Sequence, residues 1–335
     1  MTAAPEDHGS GRDRDGGLTL IEVMVSVAIL STLFMVILRS TVTVGDSNSS
    51  MESFNLILIK TQAAVAEFHE DVATARRMYE EDALGRSYVD AMNFGTLPPI
   101  ASNLLPIIEP LGEFDQDTVG DRKVGNFVLM VGEMAPYDFT APSNGRAYRV
   151  NVYRLVAYYI VDFGSPVAAG LSGFDLARWE STAFADYGTL LAISDAVARQ
   201  ELVQDMVATG RLDRAWDPAQ PANAAFYLLD TDVAVAPDPS YQIPSSPVTH
   251  RLPKSFYRKY NAAIAPNNTV VGAEAAVPKF GQKIAGSPGF PHGFEVKVVG
   301  PSGARKVLAR VVAERMMRSR VMRGTSETIA TMRDI

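Results

Sequence analysis

The chain contains no cysteine. That absence excludes a disulfide framework, a thiolate metal site and a thiol nucleophile, so the fold relies on burial alone. Histidine is scarce, at four residues in 335, and His8, His69, His250 and His292 are scattered. None repeats the ligand spacing of a zinc site, and His69, beside Glu70 and Asp71, reads as a solvated helix face. Also missing are a G-x-S-x-G elbow, a phosphate loop, a dinucleotide fingerprint and an H-E-x-x-H helix. No enzyme class therefore has positive support in the sequence. The glycines of "GSPGFPHG" alternate with prolines and follow no strand-to-helix junction, which argues against a phosphate cradle. Positive charge is not in excess, and the formal charge of -7 argues against broad nucleic-acid binding.

What is present is a globular composition, 47% apolar and 21% charged, long enough for one large or two modest domains. Only one apolar run is long, and it lies near the start: residues 16–38 read "GGLTLIEVMVSVAILSTLFMVIL". Leu18 to Leu38 spans about 30 Å as a helix, enough to cross a bilayer, with Glu22 its only charge. Arg39 closes the run, and the polar "DSNSS" follows at 46–50. An ionised side chain at the centre of a bilayer costs roughly 2.5–3.5 kcal/mol, so Glu22 needs a partner or a route to water. A secretory signal would have a positive start, a shorter apolar core and a small-residue cleavage site, none of which stands here. A plain anchor accounts for the length and lets Glu22 snorkel to the headgroups, but gives no reason for Gly16 and Gly17.

The stretch "G-LTLIE", Gly17 to Glu22, resembles the type IV prepilin signal, in which a glycine precedes a hydrophobic residue and a glutamate stands fifth after the cut. The resemblance implies cleavage after Gly17 by a prepilin peptidase, exposure and N-methylation of Leu18, and assembly through Glu22. The carboxylate would meet the terminal amine of a neighbouring subunit in a filament, where pairing counts for more than in water. It also implies further partners: other pilin or pseudopilin subunits, an inner-membrane assembly platform and membrane lipid, with nucleic acid disfavoured. The expected location is the bacterial inner membrane, single-pass with a periplasmic head, or an extracellular filament. Two features depart from the pattern. Leu18 stands where phenylalanine is commonest, and the leader "MTAAPEDHGSGRDRDGG" sets Glu6, Asp7, Asp13 and Asp15 against Arg12 and Arg14 where a basic leader is usual. Orientation thus rests on the likeness rather than on a positive-inside bias.

The expected fold class is α+β: a long N-terminal helix, half membrane-spanning and half amphipathic, packed on a mainly antiparallel sheet head with helical and loop insertions. The expected divisions are a leader at 1–17, a membrane and assembly helix at 18–39, an amphipathic continuation at 40–85, a head at 86–320 and a basic tail at 321–335. Phe54, Leu58, Thr61, Val65, Phe68, Val72, Ala75 and Tyr79 recur at steps of four and three, a stripe that suits either the chain's own head or a coiled-coil seam. Ser49 and Glu52 have the spacing of a capping box that restarts the helix.

"NFVLMVGEM" at 126–134 and "AYRVNVYRLVAYYIVDF" at 147–163 read as an antiparallel pair. A helical interval is expected over 175–208, a strand at 225–235 and a short strand at "TVVGAEAAV" within long loops. "FEVKVV" and "RKVLARVV" around "GPSGA" read as a hairpin.

Two charged stretches remain. "DQDTVGD" begins like a calcium loop with Asp115, Asp117 and Asp121, but Val119 and Asn126 occupy ligand positions, so an EF-hand is excluded. No cofactor is expected beyond that weak calcium candidate. Between 301 and 335, eight Lys and Arg residues oppose Glu314, Glu327 and Asp334. That basic end suits a neighbouring subunit, an anionic polymer or the chain's own acids. The functional expectation is a minor structural subunit of a type IV pilus-like or type II secretion pseudopilus filament. The alternative is a membrane-anchored binding protein that shares the export route and never enters a filament.

Overall fold

The computed structural model describes residues 19–92, 103–109, 124–168, 171–210, 212–218, 226–231, 293–317 and 320–333, with short pieces at 99, 235–237, 245–246 and 255–256. The chain divides into two compact units, Met1–Glu52 and Ser53–Ile335. Helix α1 (Leu20–Thr74) provides the described structure of the first and opens the second. No restart occurs at Ser49: the helix runs unbroken through "DSNSS", where Ser50 Oγ donates to the Asp46 carbonyl at 2.8 Å. Short polar side chains that bond back to the i−4 carbonyl leave the helical ladder intact.

The second unit is built on two sheets. In chain order its elements are β1 (Ala75–Met78), α2 (Ala83–Ala91), β2 (Ile108–Glu109), β3 (Val124–Gly125), β4 (Phe127–Thr140), β5 (Ala147–Ala168), β6 (Leu171–Ser181), β7 (Phe184–Asp186), α3 (Tyr187–Leu191) and α4 (Ala196–Ala208). There follow β8 (Arg214–Trp216), β9 (Phe226–Leu228), β10 (Ala236–Pro237), β11 (Ser245–Ser246), β12 (Ser255–Phe256), β13 (Phe294–Val299), β14 (Arg305–Met317) and β15 (Arg320–Met332). The larger sheet runs β1-β4-β5-β7-β8-β9-β10, with β6 also on β5 and with β11 and β12 on β6. The smaller runs β15-β14-β13-β2, with β3 also on β13. Apart from the parallel pairs β7–β8 and β13–β2, the ladders are antiparallel. The α+β class and the long N-terminal helix stand as the sequence predicts.

The two-residue period of strands sorts the central sheet into two cores. On β4, Val128 and Met130 face a core shared with α1, while Phe127, Leu129 and Val131 face another around Tyr88, Trp179 and Trp216. β5 alternates likewise, with Val156, Tyr158 and Ile160 on the first side and Leu155, Ala157 and Tyr159 on the second. From α1 the predicted stripe residues Val65, Phe68 and Val72 enter the first core, with Phe68 edge-on to Tyr158 and to Phe294 of the small sheet. The stripe therefore packs on the chain's own head. A third core, under α3 and α4, gathers Val150, Leu190, Leu202 and Met206.

Four expectations need correction. The helix ends at Thr74 rather than near residue 85, because Ala75–Met78 finds backbone partners on β4 at Gly132, Val131 and Met130. Ala75 and Tyr79 stay buried, so the stripe persists in side chains after the helix has stopped. Within 175–208, the first residues form β6, which pairs with β5 from Val156↔Glu180 to Asp162↔Phe174, and only α3 and α4 are helical. Among the described residues of the segment expected as a strand at 225–235, the strand is Phe226–Leu228 and ends before Leu229–Thr231. The stretch expected as a tail at 321–335 is strand over its residues 321–332, since β15 pairs with β14 along thirteen residues from Arg320 to Met332. "TVVGAEAAV" lies outside the described residues.

Candidate functional site

The first described turn contains the feature that the apolar run makes conspicuous. Glu22 Oε2 accepts from the Thr19 backbone N–H at 2.9 Å and from Thr19 Oγ1 at 2.9 Å. Thr19 Oγ1 in turn accepts from the Glu22 N–H at 3.4 Å, and the Val23 N–H reaches the Thr19 carbonyl at 3.1 Å. This is a reciprocal capping box, T-x-x-E, at the start of α1. Orphan amides at a helix start need acceptors, and a carboxylate there also meets the positive end of the helix dipole. Both side-chain bonds fall on Oε2, which leaves Oε1 outside the box. Glu22 thus has a local reason to be glutamate before any neighbour is considered.

Beyond it α1 is long and apolar enough to cross a membrane, by length and composition. Two of its hydroxyls are satisfied internally: Ser31 Oγ donates to the Val27 carbonyl at 2.7 Å and Thr32 Oγ1 to the Ala28 carbonyl at 2.8 Å. That pairing is what a polar side chain in hydrocarbon requires. Large apolar side chains such as Ile21, Leu30 and Phe34 are exposed in the isolated chain. Of the expected site residues, Glu22 and the span to Leu38 fall in this helix. Gly17, Leu18 and the calcium candidates Asp115, Asp117 and Asp121 lie outside the described residues.

In the second unit a cluster of charged and polar side chains binds α1 to the sheet. Asp71 of α1, 6% exposed, accepts from Arg178 Nε at 2.7 Å, from Arg178 Nη2 at 3.1 Å and from the Tyr158 hydroxyl at 2.6 Å. Arg178 also donates to Glu180 at 2.8 Å, which Arg154 meets at the same distance, and lies 3.2 Å from Glu67. Burial, then the Asp71 carboxylate, push the Tyr158 hydroxyl far above its usual range. Burial works against the charge on Arg178, but Asp71 and Glu180 outweigh it and raise its affinity for the proton. Both guanidinium groups are committed to these carboxylates. The cluster fixes the helix to β5 and β6 rather than offering a nucleophile or an acid.

Sequence reasoning did not find this cluster, because Asp71, Tyr158 and Arg178 meet only across the tertiary fold. Nor did it find Thr19, although T-x-x-E at the start of an apolar run has the spacing of a capping box. Among the described residues no group of three or more histidines, aspartates or glutamates is placed to hold a metal ion.

Comparison with known proteins agrees with the N-terminal geometry. Residues 12–38 match the family model for the prokaryotic N-terminal methylation motif. No curated protein and no solved structure matches the chain. The N-terminus is accordingly type IV prepilin-like: a peptidase-cleaved, methylated signal leading into an apolar helix.

Proposed function

From that prepilin-like premise we propose that the chain is a structural, minor subunit of a type IV pilus-like or type II secretion pseudopilus filament. Cleavage falls after Gly17, Leu18 becomes the methylated terminus, and Glu22 guides assembly inside the fibre. The C-terminal head lies on the periplasmic side before extraction. What carries the reading is the methylation motif over 12–38, which runs into the first turns of a capped, apolar helix that continues to Thr74. The role of Glu22 follows from charge: a carboxylate drawn into hydrocarbon without a partner is costly, and a neighbour's ammonium in a low-dielectric bundle offsets that cost. Oε1 lies outside the capping box and is available to such a neighbour.

Two substitutions separate the local role of Glu22 from the intermolecular one. Glu22→Gln keeps a residue that closes a capping box but removes the charge, whereas Glu22→Leu removes both. In cells with an active prepilin peptidase, both variants are cut, and both lose crosslinks to other filament subunits. Assembly intact in Glu22→Gln assigns the residue to capping alone and overturns the intermolecular pairing. Indifference to Glu22→Leu as well assigns a monomeric anchored protein. A mature chain that begins anywhere but Leu18 overturns the processing.

A further inference from the structure

The turn between β4 and β5, "PSNGRA", holds the one Asn-Gly pair in the sequence, Asn144 and Gly145, and both residues are exposed. Asn-Gly is the dipeptide from which an asparagine amide is lost most readily, because glycine has no side chain to shield its backbone nitrogen from the asparagine's own side-chain carbonyl. Gly145 adopts a φ of 65°, and a Cβ built on it would meet nothing within 4 Å, so water reaches the pair unobstructed.

The fold nevertheless holds both reacting groups. The Gly145 N–H donates to the Ala141 carbonyl at 2.8 Å, and the Ala141 N–H donates to the Arg146 carbonyl at 2.9 Å, which closes the turn. Asn144 Oδ1 accepts from the Arg146 N–H at 2.9 Å, while Nδ2 donates to the Tyr148 hydroxyl at 2.9 Å and to Asp195 Oδ2 at 2.6 Å. A backbone N–H only donates and a carboxylate accepts, so the network fixes which end of the amide faces which neighbour. Asp195 stands at the start of α4, where its other oxygen, Oδ1, accepts from the Val197 and Ala198 amides. The Ala198 bond first, and then Asn144, hold this carboxyl below its usual range, so Asn144 meets an ionised acceptor and a stronger bond than a neutral one would give. Beside it, Ser143 Oγ donates to Glu201 of the same helix at 2.8 Å.

We propose that Asn144 is a site of spontaneous deamidation which the Asp195 carboxylate holds in check, and that conversion frees the Asn144 side of the turn from α4. The Gly145 nitrogen, its proton given up to solvent base, bonds to Asn144 Cγ. The Cγ–Nδ2 bond breaks, and Nδ2 leaves as ammonia with a proton from water. One water then opens the cyclic imide, at Cγ to give aspartate or at the backbone carbonyl to give isoaspartate. Nothing is oxidised or reduced, and water is the sole co-reactant. Before Cγ can reach the Gly145 nitrogen, the side chain has to leave Asp195, Tyr148 and the Arg146 amide, and the Gly145 N–H has to leave Ala141. The undocked turn is therefore the reactive form, and each of those bonds lowers its population.

The product reverses the contact that restrained it. A carboxylate at position 144 has no proton to offer Asp195 and stands against it as a like charge. Isoaspartate also lengthens the backbone inside a turn closed by Ala141 and Arg146. Ser143 and Glu201 then remain as the link between turn and helix. The site acts once in the life of a molecule, and it is independent of filament assembly.

The test holds the full chain in detergent micelles, beside a free peptide of residues 141–148, at one mildly alkaline pH and follows the mass gain at Asn144 by peptide mapping. The peptide should convert fastest and the wild-type chain slowest. Asp195→Ser keeps a side-chain oxygen to cap α4 but removes the ionised partner of Nδ2. It should raise conversion in the folded chain roughly tenfold, the population shift expected from loss of one hydrogen bond to a charged group. Tyr148→Phe removes the other acceptor of Nδ2 and leaves the α4 cap untouched. It should speed conversion severalfold, and it decides the matter if Asp195→Ser does not fold. Asn144→Asp, the product made directly, should exchange the Gly145 amide faster than wild type. The proposal is overturned by a wild-type chain that converts as fast as the peptide, by folded variants at Asp195 and Tyr148 that convert no faster than wild type, or by a Gly145 amide that exchanges alike in Asn144→Asp and wild type.

Discussion

Replacing Asp71 by alanine tests whether α1 is held to its head by burial of charge as well as of apolar surface. The substitution removes the acceptor of two Arg178 bonds and of the Tyr158 hydroxyl, and it leaves a guanidinium whose side chain is 5% exposed. Removing one member of a buried ion pair costs about 3–5 kcal/mol, chiefly because the other charge stays behind. Arg178 retains Glu180 at 2.8 Å and Glu67 at 3.2 Å, which places the cost near the lower end, about 3 kcal/mol. For a domain of this size that corresponds to a fall in Tm of roughly 6–12 °C, and the head stays folded at room temperature. The assay is thermal unfolding of the full chain in detergent micelles, followed by near-ultraviolet circular dichroism. The double variant Asp71→Leu, Arg178→Met should recover most of the loss, since it removes the buried charge along with its partner. A single variant that melts with the wild type refutes the argument, as does a double variant no more stable than the single.

Gly324→Ala places a methyl 2.7 Å from Ile57 Cγ2 and should cost about 1–3 kcal/mol by overpacking, read from chemical denaturation. Combined with Ile57→Ala, it should cost less than the sum of the two singles by about 1 kcal/mol, because the truncated side chain makes room. Asp195 caps α4 by accepting from the Val197 and Ala198 amides at 3.0 and 3.1 Å, and the Ala198 bond, with Asn144, lowers its pKa. A carboxyl whose folded value lies below its unfolded one contributes stability above the unfolded pKa of about 3.9 and loses it as pH falls through the folded value. The Val197 and Ala198 amide resonances should therefore shift below about pH 4 and remain steady between pH 5 and 7, while a shift centred near pH 6 would contradict the cap.

The elements legible in the sequence are those whose pattern is local. β4 and β5 announce themselves through β-branched and aromatic residues around a loop with Gly145, which adopts a φ of 65° at the turn. The β13–β14 hairpin is equally plain, because "GPSGA" supplies Gly300 and Gly303, with φ of 109° and 85°. Thr74 as a helix end was not visible, since apolar spacing carries on through Ala75 and Tyr79 and only the edge of β4 decides that the backbone turns extended. β6 shows alternation in "FDLARWES", but its proof is pairing with β5. β15 was hidden by its arginines, which suggested a basic tail until thirteen residues of β14 gave it a partner. In each case a long-range ladder overrode composition.

Glu22 shows how far a local rule reaches and where it stops. Two stretches fit S/T-x-x-E, Thr19 to Glu22 and Ser49 to Glu52, and spacing alone does not choose between them. A box forms where amides lack carbonyls one turn earlier. At Thr19 they do, and the box is made; at Ser49 they lie within the continuous α1, and no helix begins. The same reasoning weakens the inference from a glutamate in an apolar run to a partner in another molecule, because an N-terminal cap already accounts for a carboxylate at this position. Capping, however, is served equally by glutamine, which carries no charge into hydrocarbon. Glutamate in place of that cheaper amide is the part of the signal that charge must explain, through the helix dipole and, in the proposed assembly, a neighbour's ammonium, and the contrast between Glu22→Gln and wild type isolates it.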